Sequence, residues 1–411
     1  MRNWDSSDEA GLETCPADAD EESAREVAAA IGIPLHVASF ERQYWTEVFE
    51  PFIARYELGL TPNPDVDCNR SVKFGHLLEY CLEQRGASGI ATGHYCTVAQ
   101  PGTSQHAAVC ASVPLDLQLS AAAYPLLVRG VDPVKDQSYF LCGVPASALQ
   151  HIQTPLGNLT KAQVRQLAQQ AHLPNAGRRD SYGICFVGKR KLPHWLPQYM
   201  PLKPGHFVCV DTGAILGATD GVQLWTEGQG AKLGGMTHKY TVVGKTLSQG
   251  QVLVAPPAHP ACHSTGLVIP WEYFNLQAPP AWLAAPLLAG GEVQVQLRIR
   301  HRQDELVPAT ARLSDAACIE DSYPRAWLDA LAPAARVAPA TACSGAMQHL
   351  VISFQQPQPF VSPGQTAALY HPDVPVCLGG GPIVARQVTH EAARSLRTDM
   401  YTSDGVLQAD C

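Results

Sequence analysis

The chain has 411 residues, 46% apolar and 16% charged, enough apolar sequence for a sizeable core in two or three domains and too much for a disordered protein. It holds no run of about 18 apolar residues of the kind that spans a bilayer, and Met1 to Asp5 form neither an apolar signal core nor an Arg-rich presequence, so a soluble intracellular protein is expected. A formal net charge of −8 argues mildly against bulk electrostatic coating of nucleic acid and leaves room for a local basic face.

The acidic, then Ala-rich stretch 20–31 predicts a helix with Gly32 as its terminator, and 34–40 predicts a short strand. Asn63 and Pro64 offer an N-cap and a first-turn proline for a second helix running to about Gln84, after which 89–94 reads as a buried strand ending in a glycine turn. Helix then strand, twice over, predicts an α/β domain built on a doubly wound parallel sheet. Past about residue 196 the pattern changes to short strands with frequent Gly and Pro, such as 206–210, 222–226, 293–300 and 366–370, which predicts small β-domains. Two Ala/Pro-rich stretches, about 278–291 and 327–345, have weak periodicity and are expected to be loop insertions.

Thirteen cysteines are scattered without a CxxC pair or clustered His, which fits neither a zinc site nor a secreted disulfide framework, so most are expected to be buried structural thiols. Two draw attention. In Asn63-Pro64-Asp65-Val66-Asp67-Cys68-Asn69, a helix opening at Pro64 puts Asp65 and Cys68 on one face of its first turn, where the helix dipole favours a thiolate and a carboxylate can act as base. Asp67 works the other way, because a neighbouring negative charge raises a thiol pKa, and ordinary capping explains the same residues. In Asp180-Ser181-Tyr182-Gly183-Ile184-Cys185-Phe186-Val187-Gly188-Lys189-Arg190-Lys191, Cys185 fits either a buried strand thiol beside a solvated turn or a reactive thiol over a phosphate-binding edge. Thr92-Gly93-His94 closes a predicted strand at the sheet edge where nucleotides bind; Lys135-Asp136-Gln137 offers a cation and hydrogen-bonding groups in one turn, or a plain solvated loop.

In this order and spacing the four segments resemble the tRNA-specific 2-thiouridylases of bacteria and mitochondria. The similarity continues through Thr226-Glu227-Gly228-Gln229, Leu233-Gly234-Gly235, Arg300-His301-Arg302-Gln303 and Ser362-Pro363-Gly364-Gln365. The resemblance implies an adenine-nucleotide-hydrolase-like domain over 1–195, a small β-rich tRNA-contacting domain over 196–266 and a C-terminal β-barrel from 267, with a tail after about 390. It implies ATP-dependent sulfur transfer to C2 of the wobble uridine, with ATP and Mg2+ but no permanently bound metal or organic cofactor, and with tRNA and a persulfide donor (a cysteine desulfurase or relay protein) as partners. Cys185 would carry the persulfide, Cys68 would attack it and close a disulfide, and Asp65 would be the acid/base residue. Asn63, Pro64 and Asn69 would form the pocket of the flipped base; His94, Lys135, Asp136, Gln137, Arg300, His301 and Gln365 would contact tRNA; Met1 and Gly93 would lie near the nucleotide.

Three departures qualify these expectations. The family opens with a strand and a Ser-Gly-Gly-Val-Asp-Ser-type loop for the ATP pyrophosphate, and no such motif stands in the chain; a start at an internal methionine is expected, any targeting peptide going with the same piece, and the resemblance implies a mitochondrial location, otherwise a cytoplasmic or plastid one. Gly230 follows Gly228-Gln229 where the family has arginine, and Asp67 replaces a residue that is commonly apolar. The competing readings are a tRNA-binding protein that keeps the fold without activating uridine, and an amidotransferase-like or synthetase relative, which has no use for paired cysteines.

Overall fold

The computed structural model describes residues 1–4, 16–178, 183–188, 190–303, 305–315, 319, 323–331, 347–389, 391, 392, 396 and 406–408. Asp180, Ser181, Tyr182, Lys189, most of the second Ala/Pro-rich stretch and most of the expected tail lie outside the described residues.

The N-terminal region begins with Arg2 bridging Ser39 in parallel and a helix over Pro16–Ile31 that ends at Gly32 in a left-handed turn. The strand predicted at 34–40 is not formed: among the described residues the segment joins no sheet, and its one bridge is Ser39 to Arg2, itself outside any strand. A second helix runs through Glu41–Tyr44, a π-helical turn Trp45–Phe49 and Glu50–Glu57. The third starts as predicted: the Asn63 side chain accepts a hydrogen bond from the Asp65 N–H, and Pro64 occupies the first turn, where its missing N–H costs nothing. It continues from Pro64–Asp67 into a π-helical stretch Cys68–His76, then Leu77–Glu79 and Tyr80–Gln84.

Strand β1 (Ile90–Ala91) pairs in parallel with β4 (Ile152–Gln153), while β2 (Cys96–Ala99) and β3 (Leu126–Arg129) form an antiparallel hairpin. The prediction of a buried strand at 89–94 needs correction: Ile90 is half-buried and Ala91 exposed, because among the described residues β4 is the single strand pairing with them. The hairpin docks on the last domain, with the Arg129 N–H bonded to the Pro375 carbonyl at 2.8 Å. Ala99, Val113 and Leu126 share one apolar cluster with Leu267, Val295 and Leu369, so the first and last domains are cored together.

The middle region is a five-stranded sheet, ordered β6 (Ile215–Thr219), β5 (Gly205–Cys209), β9 (Gln251–Ala255), β8 (Tyr240–Thr246), β7 (Gly230–Ala231). The predicted strand at 222–226 is instead a 3-10 turn, Val222–Leu224, whose Val222 packs inward with Phe207 and Val252.

The last region is a nine-stranded sheet curling around the shared core, ordered β11 (Asn275–Leu276), β16 (Cys377–Pro382), β15 (Thr366–Tyr370), β12 (Val293–Arg298), β13 (Val307–Ser314), β14 (His349–Pro359), β10 (His263–Pro270), β17 (Ala385–Val388), β18 (Val406–Gln408). The 278–291 stretch is not a bare loop insertion: it folds as a 3-10 turn Pro280–Trp282 and a helix Ala284–Leu288, and buries Trp282, Leu283 and Leu287 in that core. Alanine and proline hide the periodicity there because three large apolar side chains suffice to anchor so short a segment.

Candidate active site around Cys68 and Cys185

Of the nine described cysteines, all of them free thiols, seven are buried, Cys81 is half-buried and Cys185 is exposed. Cys185 sits on a turn rather than in a strand, closed by the Val187 and Gly188 N–H groups on the Ile184 carbonyl. Gly183 (φ +96°) and Gly188 (φ +62°) bracket it in left-handed conformations that a side chain would strain. Arg190 bonds the carbonyls of Phe186 and Val187, so this cation clips the turn to itself, and its guanidinium lies 5.8 Å from the Trp195 ring centroid.

The floor beneath the turn is aromatic. Phe186 meets Trp4, Tyr44, Phe49, Phe52 and Trp195 with ring centroids 5.0–6.0 Å apart. Each such ring withdrawn from water contributes roughly 1.5–3 kcal/mol, which fixes the height of the turn. The Tyr44 hydroxyl lies 2.8 Å from the Cys185 sulfur.

Facing this turn is the helix opened by Pro64. Asp65 is exposed at its rim, yet the surrounding protein atoms push its carboxyl above the usual value while Lys73 pulls it back. Cys68 is buried, and burial pushes its thiol up to about 12; Lys73 opposes that, and Cys185, Asp65 and Asp67 add to it. The expected dipole-acidified thiolate is therefore corrected: desolvation outweighs a half-charge at one turn. Cys185 is also raised, first by the crowding of atoms around it; the Tyr44 hydrogen bond and Lys73 lower it, and Asp65 raises it. Cys68, Cys185, Asp65 and Lys73 thus form one electrostatic neighbourhood.

Asp67 is a base-plate rather than a reactant. It is buried between Arg55 (2.5 Å) and Arg70 (2.9 Å), and Arg55 also donates to the Ala330 carbonyl. A cavity lined by Arg55, Asn63, Asp67, Arg70, Glu272 and Gly364 lies behind this helix and includes neither thiol.

Asn63 and Pro64 open the helix that carries Asp65 and Cys68, and Asn69 follows Cys68 in it; Asn69 is itself buried, donating to the Phe140 carbonyl at 3.1 Å and accepting from Lys73 Nζ at 2.9 Å. His94 lies tilted against Phe74, ring centroids 5.6 Å apart, and shares a 2.8 Å contact with Thr92 Oγ1; burial, then Lys73, depresses it to about 3 and keeps it neutral. Gly93 is exposed, and a side chain there would meet nothing closer than Leu156 at 3.8 Å, so packing alone does not demand glycine. Met1 is exposed.

Several expected RNA contacts are fasteners. The Asp136 carboxylate is fully enclosed, paired with Arg298 (3.0 Å) and Arg129 (3.2 Å), which makes it a link between the first and last domains. Gln137 accepts the Tyr95 N–H at 2.9 Å, and Gln365 donates to the Thr61 carbonyl at 2.7 Å. Arg300 lies 5.8 Å from the Phe360 ring centroid, and His301 is exposed beside Phe140. Half-buried Lys135 belongs to a basic cluster with Lys161 and Arg165.

Sequence reading missed the roles of Tyr44 and Lys73. A π-helical register puts residues five apart above one another, which brings Lys73 over Cys68, whereas 3.6-residue spacing turns it away. For Tyr44, an aromatic-rich stretch from Tyr44 to Phe52 was the available signal, and the partner 141 positions away was not.

Residues 1–189 match the family described as tRNA methyl transferase HUP domain, residues 193–256 its PRC-barrel domain, and residues 336–383 the aminomethyltransferase β-barrel domain. The chain is 37% identical over 319 residues to the mitochondrial tRNA-specific 2-thiouridylase 1 of Mus musculus, covering 76% of this chain and 75% of that one. It is 34% identical to the tRNA-specific 2-thiouridylase MnmA of Chlamydia pneumoniae, across 95% of this chain and 90% of the other, and 34% identical to that of Bacillus pumilus across 93% and 86%. With its HUP, PRC-barrel and β-barrel regions in that order, and similarity sustained along nearly its whole length, the chain belongs to the tRNA-specific 2-thiouridylase family.

Proposed function

We propose that this protein transfers a sulfur atom from a persulfide on Cys185 to C2 of the wobble uridine of a tRNA. One observation carries the reading: an open thiol, Cys185, and a buried thiol, Cys68, share one neighbourhood with a raised carboxyl, Asp65, and an ammonium, Lys73. In the proposed reaction the outer sulfur of the Cys185 persulfide bonds to C2. Cys68 then attacks the Cys185 sulfur, the bond to the outer sulfur breaks, and the released sulfur stays on the base while a Cys68–Cys185 disulfide forms. ATP, when bound, supplies the adenylate that makes the C2 oxygen a leaving group, and the open space over Gly93 and exposed Met1 fit its close approach.

Asp65 holds or releases a proton at the base edge, a role suited to a carboxyl raised above its usual range. Lys73 favours each anionic sulfur in turn. The high thiol pKa of Cys68 keeps it quiet until Cys185 has been loaded, which limits premature disulfide closure. Asn63 and Pro64 hold the turn against which the flipped uracil packs. Lys135, Lys161 and Arg165 supply a local positive face for phosphates, with Arg300 and His301 as further contacts. Methyl transfer, named in the family description, has no use for a second thiol at this point. A persulfide donor protein as partner and residence in mitochondria follow the same reading.

The test is thiolation of unmodified tRNA with ATP, Mg2+ and a persulfide source. Cys185→Ser is expected to abolish 2-thiouridine while leaving tRNA binding nearly intact; thiolation near the parent level sinks the assigned role. A parent chain that binds tRNA without thiolating it favours the binding-only reading.

A further inference from the structure

Tyr44 is buried to 1% exposure at the point where its helix enters the π-helical turn Trp45–Phe49. Its ring is held edge-on to Phe186 (6.0 Å) and Trp4 (6.2 Å), so the ring has little freedom and its hydroxyl is aimed. The atom it meets is the Cys185 sulfur, at 2.8 Å. A hydroxyl buried without a partner costs about 1–3 kcal/mol, and phenylalanine would fill the same aromatic nest without that liability. The one polar atom of this ring lies where it touches the sulfur.

Resting on the assignment of Cys185 as the sulfur carrier, we infer that Tyr44 is a further catalytic residue, whose hydroxyl donates a hydrogen bond to the Cys185 thiolate and readies it to accept sulfur. Once Cys185 is a thiolate it has no proton to give, so across the 2.8 Å contact the phenol is the donor; burial, followed by the charges of Cys185 and Cys68, holds that phenol above its ordinary range and keeps it protonated. The loading step balances without an oxidant. The Cys185 thiolate attacks the outer sulfur of a donor persulfide, the donor S–S bond breaks, and the donor leaves as a thiolate with the electron pair. The other groups facing Cys185 are Asp65, which opposes the charge, the buried Cys68 thiol, whose own ionisation is coupled to that of Cys185, and Lys73 and the Phe186 backbone, which favour the charge; of the favourable contacts, that of Tyr44 is the largest.

The test is the pH profile of Cys185 alkylation by iodoacetamide, read peptide by peptide in the full chain for the parent and Tyr44→Phe. The phenylalanine leaves the nest filled, so an unchanged thermal midpoint verifies folding, and Cys81 serves as internal reference. The Cys185 midpoint is expected to rise by about one pH unit, roughly tenfold slower alkylation near neutral pH, with Cys81 unmoved. Tyr44→Gln, which restores a donor, is expected to recover part of the shift. A Cys185 profile unchanged in Tyr44→Phe overturns the inference. Because alkylation needs neither tRNA nor ATP, this outcome is separate from the fate of the sulfur-carrier reading, which Cys185→Ser decides by thiolation.

Discussion

Asp67 shows how much one side chain beside a reactive group can do without reacting. Its carboxylate bridges two guanidiniums, Arg55 and Arg70, at the foot of the helix that carries Cys68. Removing one member of a buried ionic set leaves uncompensated charge, so Asp67→Ala is expected to destabilise the protein by about 3–5 kcal/mol in urea unfolding. The Cys68 thiol should change far less, since Asp67 is the weakest of the groups acting on it; a Cys68 alkylation profile that moved by more than that of Lys73→Met would reverse this ranking. In the sequence Asp67 reads only as a negative charge next to a thiol. Arg55 lies on the preceding helix, and the pairing that neutralises Asp67 is a property of how the two helices pack.

Among the elements, local chemistry was the legible part. Asn63 and Pro64 mark the start of the third helix because capping and a fixed φ act within four residues, and Gly32 marks the end of the first for the same reason. The parallel character of β1 and the strand Thr366–Tyr370 were likewise readable. What failed depended on distant partners. The π-helical register of Cys68–His76 has no sequence period of its own, the 222–226 segment was turned into a 3-10 corner by its neighbours, and 278–291 looked featureless although it plugs the barrel. That last segment allows a direct check. The Trp282 indole N–H reaches the Leu117 carbonyl at 3.0 Å and its ring is buried, so Trp282→Ala should cost about 3–5 kcal/mol by chemical denaturation, whereas a surface insertion would cost nearly nothing.

At the scale of the whole molecule, the thiols set a pH limit. Cys68 and Cys377 are both pushed up to about 12 by burial, and Cys142 well above its ordinary value of 9.0. A raised thiol pKa means the folded state holds protons that the unfolded chain gives up, so this stabilisation is complete below about 9 and is lost as pH rises toward 12. Circular dichroism is expected to show cooperative alkaline unfolding in that window, displaced upward in Cys377→Ala; a transition centred on pH 7–8 would contradict it. The domains themselves are joined by polar fasteners: Asp136 to Arg298, Thr61 to Thr226, and Gln365 to Thr61. Gly364, at φ +89°, lets that last loop approach so closely that a Cβ would stand 2.7 Å from the Thr61 nitrogen. Thr61 is two residues before the cap of the helix that carries Cys68, and its clasp lies 304 positions downstream. On the ribosome, therefore, the residues around Cys68 emerge long before the piece that locks them, and the site reaches its working geometry only once residue 365 has been synthesised and folded back.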